Sequence, residues 1–298
     1  MTLDFAKITA HIGARVSGID VGSDIDDKTV DTLRRALNEH KALVFDVPTL
    51  DVAGQERFAA KFGALTTAHP TVPGNVSPNV LDVDSQISKS NQWHTDVTFV
   101  VNPPAISTLR SIVIPPYGGE TLIANSAAAY RSLPEPLRNW ADTLWAVHTN
   151  TYDYARPTPR TEQEERYRRV FESTKYETRH PVVRTHPETG ERGLFIGNFA
   201  QRIEGLSSTE SRDVLRLLQA HVTRPEHVLR WSWRPGQLLV FDNRITQHYA
   251  VDNYDDQPRS LSRVTVAGDI PVSVSGERSV ALVGDSSHYS PLAAVSAA

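Results

Sequence analysis

Trp93-His94-Thr95-Asp96 sets an imidazole and a carboxylate two residues apart. In extended backbone, residues i and i+2 point to the same face, so both groups could bind one ion from one strand end. Such a pair is also common on plain protein surfaces. A second histidine, His248, closes the run Asp242-Asn243-Arg244-Ile245-Thr246-Gln247-His248, directly after the apolar stretch Leu238-Leu239-Val240-Phe241. Alone it reads equally as a core histidine satisfied by the backbone.

If the fold brings the segment before His248 beside His94, then His94, Asp96 and His248 supply two imidazoles and one carboxylate. That is the facial set of non-haem Fe(II) oxygenases, which leaves coordination positions open. The same set can hold a catalytic zinc. Arg259 and Arg263 follow, spaced four apart with Leu261 and Val264 between and beside them. In a strand both arginines share one face. Without acidic neighbours, a buried pair would ask for anionic ligands, because guanidinium is a planar fork matched to carboxylate or sulfate. The plainer reading is a solvated basic face.

These residues must be positioned by a fold of 298 residues with 39% hydrophobic and 22% charged content, enough to bury a sizeable core. The net charge of −4 gives no basic footprint for nucleic acid. With no cysteine, disulfides, thiolate metal sites and a thiol nucleophile are excluded, which fits a cytoplasmic protein. No apolar run is long enough to span a membrane, and the first residues carry no secretory pattern.

Alternating residues over 1–22 predict two short strands joined near Gly13. Helical spacing follows over Asp26–His40 and Gln55–Phe62, with a short buried strand at Ala42–Phe45 between them. Strands are expected at Val80–Val83, Ala105–Ile114, Val182–Thr185, Leu194–Ile196, Val228–Trp233, Gln237–Phe241 and Leu261–Val266. Ala127–Trp145 reads as one or two helices broken at Pro134 and Pro136. Ser207-Ser208-Thr209-Glu210 has capping-box spacing and opens a further helix. Residues 151–178 are charged and contain Pro157 and Pro159, a long excursion of the kind that serves as an active-site lid. The tail 275–298 is rich in Ser, Ala and Gly and is expected to be loose. The whole, 1–298, reads as one domain. It is mainly β with helical decoration, a sandwich or jelly roll.

Trp93 to Phe99, Gly118-Gly119-Glu120-Thr121, Asp242-Asn243-Arg244 through His248, and Arg259 with Arg263 together resemble the taurine dioxygenase family of Fe(II)/2-oxoglutarate dioxygenases. The resemblance runs from the N-terminal strands to about Val272. Leu144 to Asn150 with Tyr152-Asp153-Tyr154, and His180-Pro181-Val182-Val183-Arg184, look most like its alkylsulfatase branch. It implies a double-stranded β-helix using Fe(II), 2-oxoglutarate and O2. His94, Asp96 and His248 would hold the metal. Arg259 and Thr121 would bind the distal carboxylate of 2-oxoglutarate. Arg263 would bind an anionic group of the primary substrate or the inner carboxylate of 2-oxoglutarate. His69 and the Val97 amide would contact a sulfate or sulfonate, with Phe241 and Tyr152 near the substrate. Val72 stands where taurine-specific enzymes carry tyrosine, and Phe241 where both branches usually carry tryptophan.

The implied reaction is oxidation of an aliphatic C–H bond of a small, anionic, alkyl sulfate-like or sulfonate-like substrate, with release of succinate and CO2. The same chemistry also tailors secondary metabolites such as terpenoid lactones and antibiotics, by hydroxylation, desaturation or epoxidation. A zinc hydrolase on the same triad leaves Arg259, Thr121 and Arg263 unexplained. A metal-free binding module leaves the triad unexplained. Relatives in the family are often dimers or tetramers, so a homo-oligomer is expected.

Overall fold

A computed structural model describes residues 3–151 and 161–291. Its framework is a seven-stranded sheet in the spatial order 4–7, 14–17, 42–46, 237–242, 106–113, 260–266 and 80–84. Every pairing is antiparallel except that of Ala14–Ser17 with Ala42–Asp46. A three-stranded sheet of Val228–Trp231, Thr121–Asn125 and Thr246–Ala250 packs on its inner face. Two small sheets complete the β structure. One contains Trp145–Thr149 and Glu177–Pro181, the other Val183–Thr185.

The central strands are apolar on both faces, and the structure uses both. Leu43, Phe45, Leu238 and Val240 point outward into a core shared with Val30, Leu33 and Leu37 of the helix Asp27–His40 and Phe58 of the helix Val52–Ala60. Ala42, Val44, Leu239 and Phe241 point the other way, to Ile123, Leu229 and Trp231 of the facing sheet. Period-two alternation with both sides covered explains why Leu238-Leu239-Val240-Phe241 is an unbroken apolar run. The two-layer arrangement is a jelly roll with helices on its outer face.

Local chemistry sets the helix ends. Asp26 caps the first helix through Thr29 N–H, and Lys41 ends it with φ of 63°. The capping box at Ser207 and Glu210 forms as the sequence predicts, opening Ser208–Val222. Between Ala127 and Trp145 there are two helices, Ser126–Arg131 and Glu135–Ala141, but Trp145 itself begins a strand.

Two expectations need correction. Within 151–178 the chain is not one long loop: Glu162–Phe171 is a helix with a Thr161–Glu164 capping box, and Glu177 starts a strand. Nor is 275–291 loose. Val280–Val283 pairs with Glu177–Arg179, and Tyr289 is fully buried beside Phe171 and Tyr176. Its carbonyl accepts from Thr67 N–H at 2.9 Å. Small polar residues there allow close packing rather than disorder. No helix among the described residues is long and apolar enough to cross a membrane.

Candidate active site

The two histidines are brought together by strand register. His94 lies opposite His248 as an antiparallel pair, exchanging His94 N–H to His248 O at 3.1 Å and the reverse at 2.7 Å. Side chains of directly opposed residues leave the same face, so the rings sit with centroids 4.1 Å apart. Asp96, two residues on, joins them. Its Oδ1 is 3.8 Å from Nε2 of both His94 and His248, and one ligand atom from each residue lies within 4.8 Å of the others. Thr95 points the opposite way, donating to Thr246 O at 2.7 Å.

The carboxylate is held from behind. Ser107 donates to Asp96 Oδ2 at 2.7 Å. Asn243 clamps the Asp96 backbone, accepting from its N–H at 2.9 Å and donating to its carbonyl at 3.2 Å. Burial works to raise the Asp96 pKa, but Arg263, then the two histidines and Ser107, outweigh it and hold the carboxyl well below its usual range. Burial pushes His248 down to about 3, with His94 adding to the effect against Asp96, and it lowers His94 also. Two neutral imidazoles and an ionised carboxylate at this spacing fit a first-row divalent ion such as Fe(II).

Arg263 departs from the sequence expectation. Its Nη1 is 2.5 Å from Asp96 Oδ1, so it has an acidic neighbour, and that neighbour belongs to the triad. Arg259 meets the expectation. It is buried, and its Nε donates to Gly119 O at 2.8 Å and its Nη2 to Thr121 Oγ1 at 3.2 Å. Among the described residues no carboxylate lies within 4.0 Å of it, and burial depresses its pKa. Gly119, at φ of 67°, permits this: a Cβ there would stand 3.1 Å from Arg259 Cδ. Thr121 Oγ1 also accepts from Trp233 Nε1–H at 2.9 Å. With two donors at its oxygen, its own proton is left for an acceptor.

His69, Arg263, Val97, Phe99, Phe171 and Phe199 line a cavity of about 200 Å³ together with His94 and Asp96, and the His69 ring packs on Phe171 and Phe99 at centroid distances of 5.0 and 5.8 Å. His69 Nδ1 accepts from the amides of Thr71 and Val72 at 3.2 and 3.3 Å. This fixes the Nε2–H tautomer. Burial pushes His69 down to about 3, with Arg263 adding to it, so the ring is a neutral donor. Val97 has φ of 55°, rare for a β-branched residue and costing about 1–3 kcal/mol.

Phe241 is not in this cavity wall. It lies inside the sandwich, its ring 4.8 Å from that of His248, and backs the ligand rather than facing substrate. Tyr152 and Tyr154 fall outside the described residues. Sequence reasoning missed Asn243, Ser107 and Trp233 as supports, and Phe171 and Phe199 as cavity walls. Of these only Asn243 carried a sequence signal, through its place beside Asp242 in the run to His248.

A jelly roll with this triad at one end and a carboxylate-free buried arginine nearby defines a metal-dependent oxygenase of the 2-oxoglutarate type. The chain belongs to the taurine catabolism dioxygenase TauD, TfdA family, whose model matches residues 4–265, and it is a 2-oxoglutarate-dependent dioxygenase. It is 49% identical over 284 residues to an alpha-ketoglutarate-dependent sulfate ester dioxygenase of Pseudomonas putida, covering 94% of each chain. It is 46% identical to an alkylsulfatase of Acinetobacter baylyi, over 92% of this chain and 88% of the other. A crystal structure of a taurine dioxygenase from Burkholderia xenovorans superposes with a TM-score of 0.80 at 38% identity, covering 95% of each chain.

Proposed function

We propose that this dioxygenase oxidises the carbon next to the ester oxygen of an alkyl sulfate. The observation that carries the reading is His69, a buried imidazole whose Nδ1 is saturated by backbone amides, so that it can only donate toward the cavity. A neutral donor beside Arg263 suits a weakly basic sulfate. The aromatic rings of Phe99, Phe171 and Phe199 in the same lining suit an aliphatic tail. The printed activities of the two bacterial relatives agree.

In this reading His94, Asp96 and His248 hold Fe(II). Bound Fe(II) with 2-oxoglutarate and O2 supplies the oxidising power for C–H hydroxylation, with succinate and CO2 as coproducts. Arg259 and Thr121 bind the distal carboxylate of 2-oxoglutarate. His69, Arg263 and the Val97 N–H hold the sulfate, fixing which carbon faces the triad. The hydroxylated product then loses a proton from its new hydroxyl as its C–O bond to sulfate breaks, giving aldehyde and free sulfate. The helix Glu162–Phe171, which brings Tyr167 and Phe171 to the cavity, helps to exclude water from it. A homo-oligomer in the cytoplasm belongs to the same reading, the latter supported by the absence of cysteine.

A panel of alkyl sulfates, alkyl sulfonates and carboxylated terpenoids, assayed for succinate and product, tests it. The expected result is aldehyde and sulfate in equal amounts from alkyl sulfates, with succinate matching them. Tight coupling on a terpenoid and none on any sulfate would replace this reading with a biosynthetic one.

A further inference from the structure

Asp96 to Val100 forms a turn closed by Val100 N–H to Val97 O at 3.2 Å, with Val97 in the left-handed region. The next three carbonyls are taken up by side chains rather than by a strand ladder. His180 Nε2 lies 2.7 Å from Thr98 O and 3.2 Å from Val100 O. Thr178 Oγ1 donates to Phe99 O at 2.8 Å. The Thr98 hydroxyl is 2.8 Å from His148 Nδ1. His148 is opposite Thr178 in the register of Trp145–Thr149 with Glu177–Pro181, and His180 is two residues further on. All three therefore leave one face of that sheet. The two rings meet edge to face with centroids 4.9 Å apart, and both pack on Phe195. All are fully buried.

Resting on the sulfate-ester reading, we propose that His180, Thr178 and His148 are positioning residues that hold the Val97 turn in its strained conformation, and so keep the Val97 N–H available to the substrate's anionic group. A β-branched residue does not stay left-handed unless its surroundings over-determine it. Three consecutive carbonyls fixed by rigid buried donors do so. The clamp touches neither the triad side chains nor Arg259, so its loss falls on substrate binding rather than on cosubstrate.

The test compares His180→Leu, Thr178→Val and His180→Gln, the last keeping a donor near the Nε2 position. Binding of hexyl sulfate is measured by calorimetry with Fe(II) and 2-oxoglutarate in the absence of O2. The expected loss is about tenfold for His180→Leu, the scale of one hydrogen bond to a charged group. It is several-fold for Thr178→Val and within about twofold of wild type for His180→Gln. KM for hexyl sulfate should follow, while kcat and the 2-oxoglutarate requirement hold. In a Val97→Gly background, where the turn is unstrained, the same His180→Leu change should cost much less. If His180→Leu does not fold, the near-isosteric Thr178→Val carries the test.

Hydrogen exchange over residues 93–101 reads the clamp with no substrate present and should speed up in both His180→Leu and Thr178→Val. Unchanged exchange overturns the clamp, as does equal loss of kcat and cosubstrate affinity, or full additivity with Val97→Gly. Failure of the wild-type enzyme to bind hexyl sulfate overturns the sulfate-ester reading instead and leaves the exchange comparison to decide the clamp.

Discussion

Among the described residues the buried guanidinium of Arg259 has no carboxylate partner, and burial depresses its pKa against the opposing effect of Tyr254. Leaving it so is costly, and in the proposed reading a dicarboxylate cosubstrate would remove the cost. Arg259→Ala should therefore raise the 2-oxoglutarate concentration for half-saturation by at least about 30-fold, from the roughly 2–5 kcal/mol attached to truncating a buried charge pair. Succinate formation against 2-oxoglutarate concentration measures it, and an unchanged curve removes Arg259 from the site. Trp233→Phe leaves the aromatic packing but frees the Thr121 oxygen. One neutral hydrogen bond is worth about 0.5–1.5 kcal/mol, so the same curve should shift by less than about tenfold. The burial of Arg259 was legible in the sequence because its spacing from Arg263, with Leu261 and Val264 beside them, set both on one face of a strand turned inward. The pairing of Arg263 with Asp96 was not, since it joins segments whose approach only the tertiary fold decides. The support from Trp233 is non-local in the same way.

The helix Glu162–Phe171 is the helical element that lines the cavity. It carries Tyr167 and Phe171 to the cavity, and its far end is tied down. Asn150 donates to Phe171 O at 3.1 Å and to Thr174 O at 2.8 Å, and Thr71, beside His69, donates to Phe171 O at 3.1 Å. An occupied cavity should slow hydrogen exchange across 161–171 when an alkyl sulfate is added to enzyme holding iron and 2-oxoglutarate. No change would separate the helix from substrate capture. Thr161→Ala, which removes the cap, should speed that exchange in the substrate-free enzyme, a cap being worth about 1 kcal/mol. The sequence signal for this helix was present as Thr161-x-x-Glu164, but the residues after it are mostly charged and leave only the short apolar set Tyr167, Val170 and Phe171. Only Phe171 is fully buried. Strands 42–46 and 237–242 were legible for the opposite reason, since two covered faces leave a long apolar run. The tail misled because burial of Tyr289 depends on what packs over it, which composition does not record.

Across the whole molecule, buried neutral histidines set the acid limit. His69, His180 and His248 are each pushed down to about 3 by burial, against about 6.5 in the unfolded chain. The folded state binds fewer protons than the unfolded state between those values, so stability rises with pH through that window. The contribution is whole above about pH 6.5 and is lost as pH falls toward 3. At pH 5.5 the three histidines together should already have lost about 4 kcal/mol. Metal-free protein should therefore show a falling urea midpoint between pH 7 and 5.5, before most carboxylates titrate. A midpoint flat to pH 5 would mean that these imidazoles are charged in the fold.

The opposition of His94 and His248 has a temporal consequence. During synthesis the chain carries His94 and Asp96 long before it carries His248, and the two halves meet only when the strand Thr246–Ala250 has found its place beside Thr121–Asn125. A pairing slipped by one residue would turn His248 to the opposite face. The centre thus reports on completed topology: a nascent, truncated or misregistered chain would offer a metal ion two of the three candidate ligands at most. In the proposed reading the capacity to activate oxygen is withheld until the walls that confine it are built, so immature copies would be poor sources of stray oxidation.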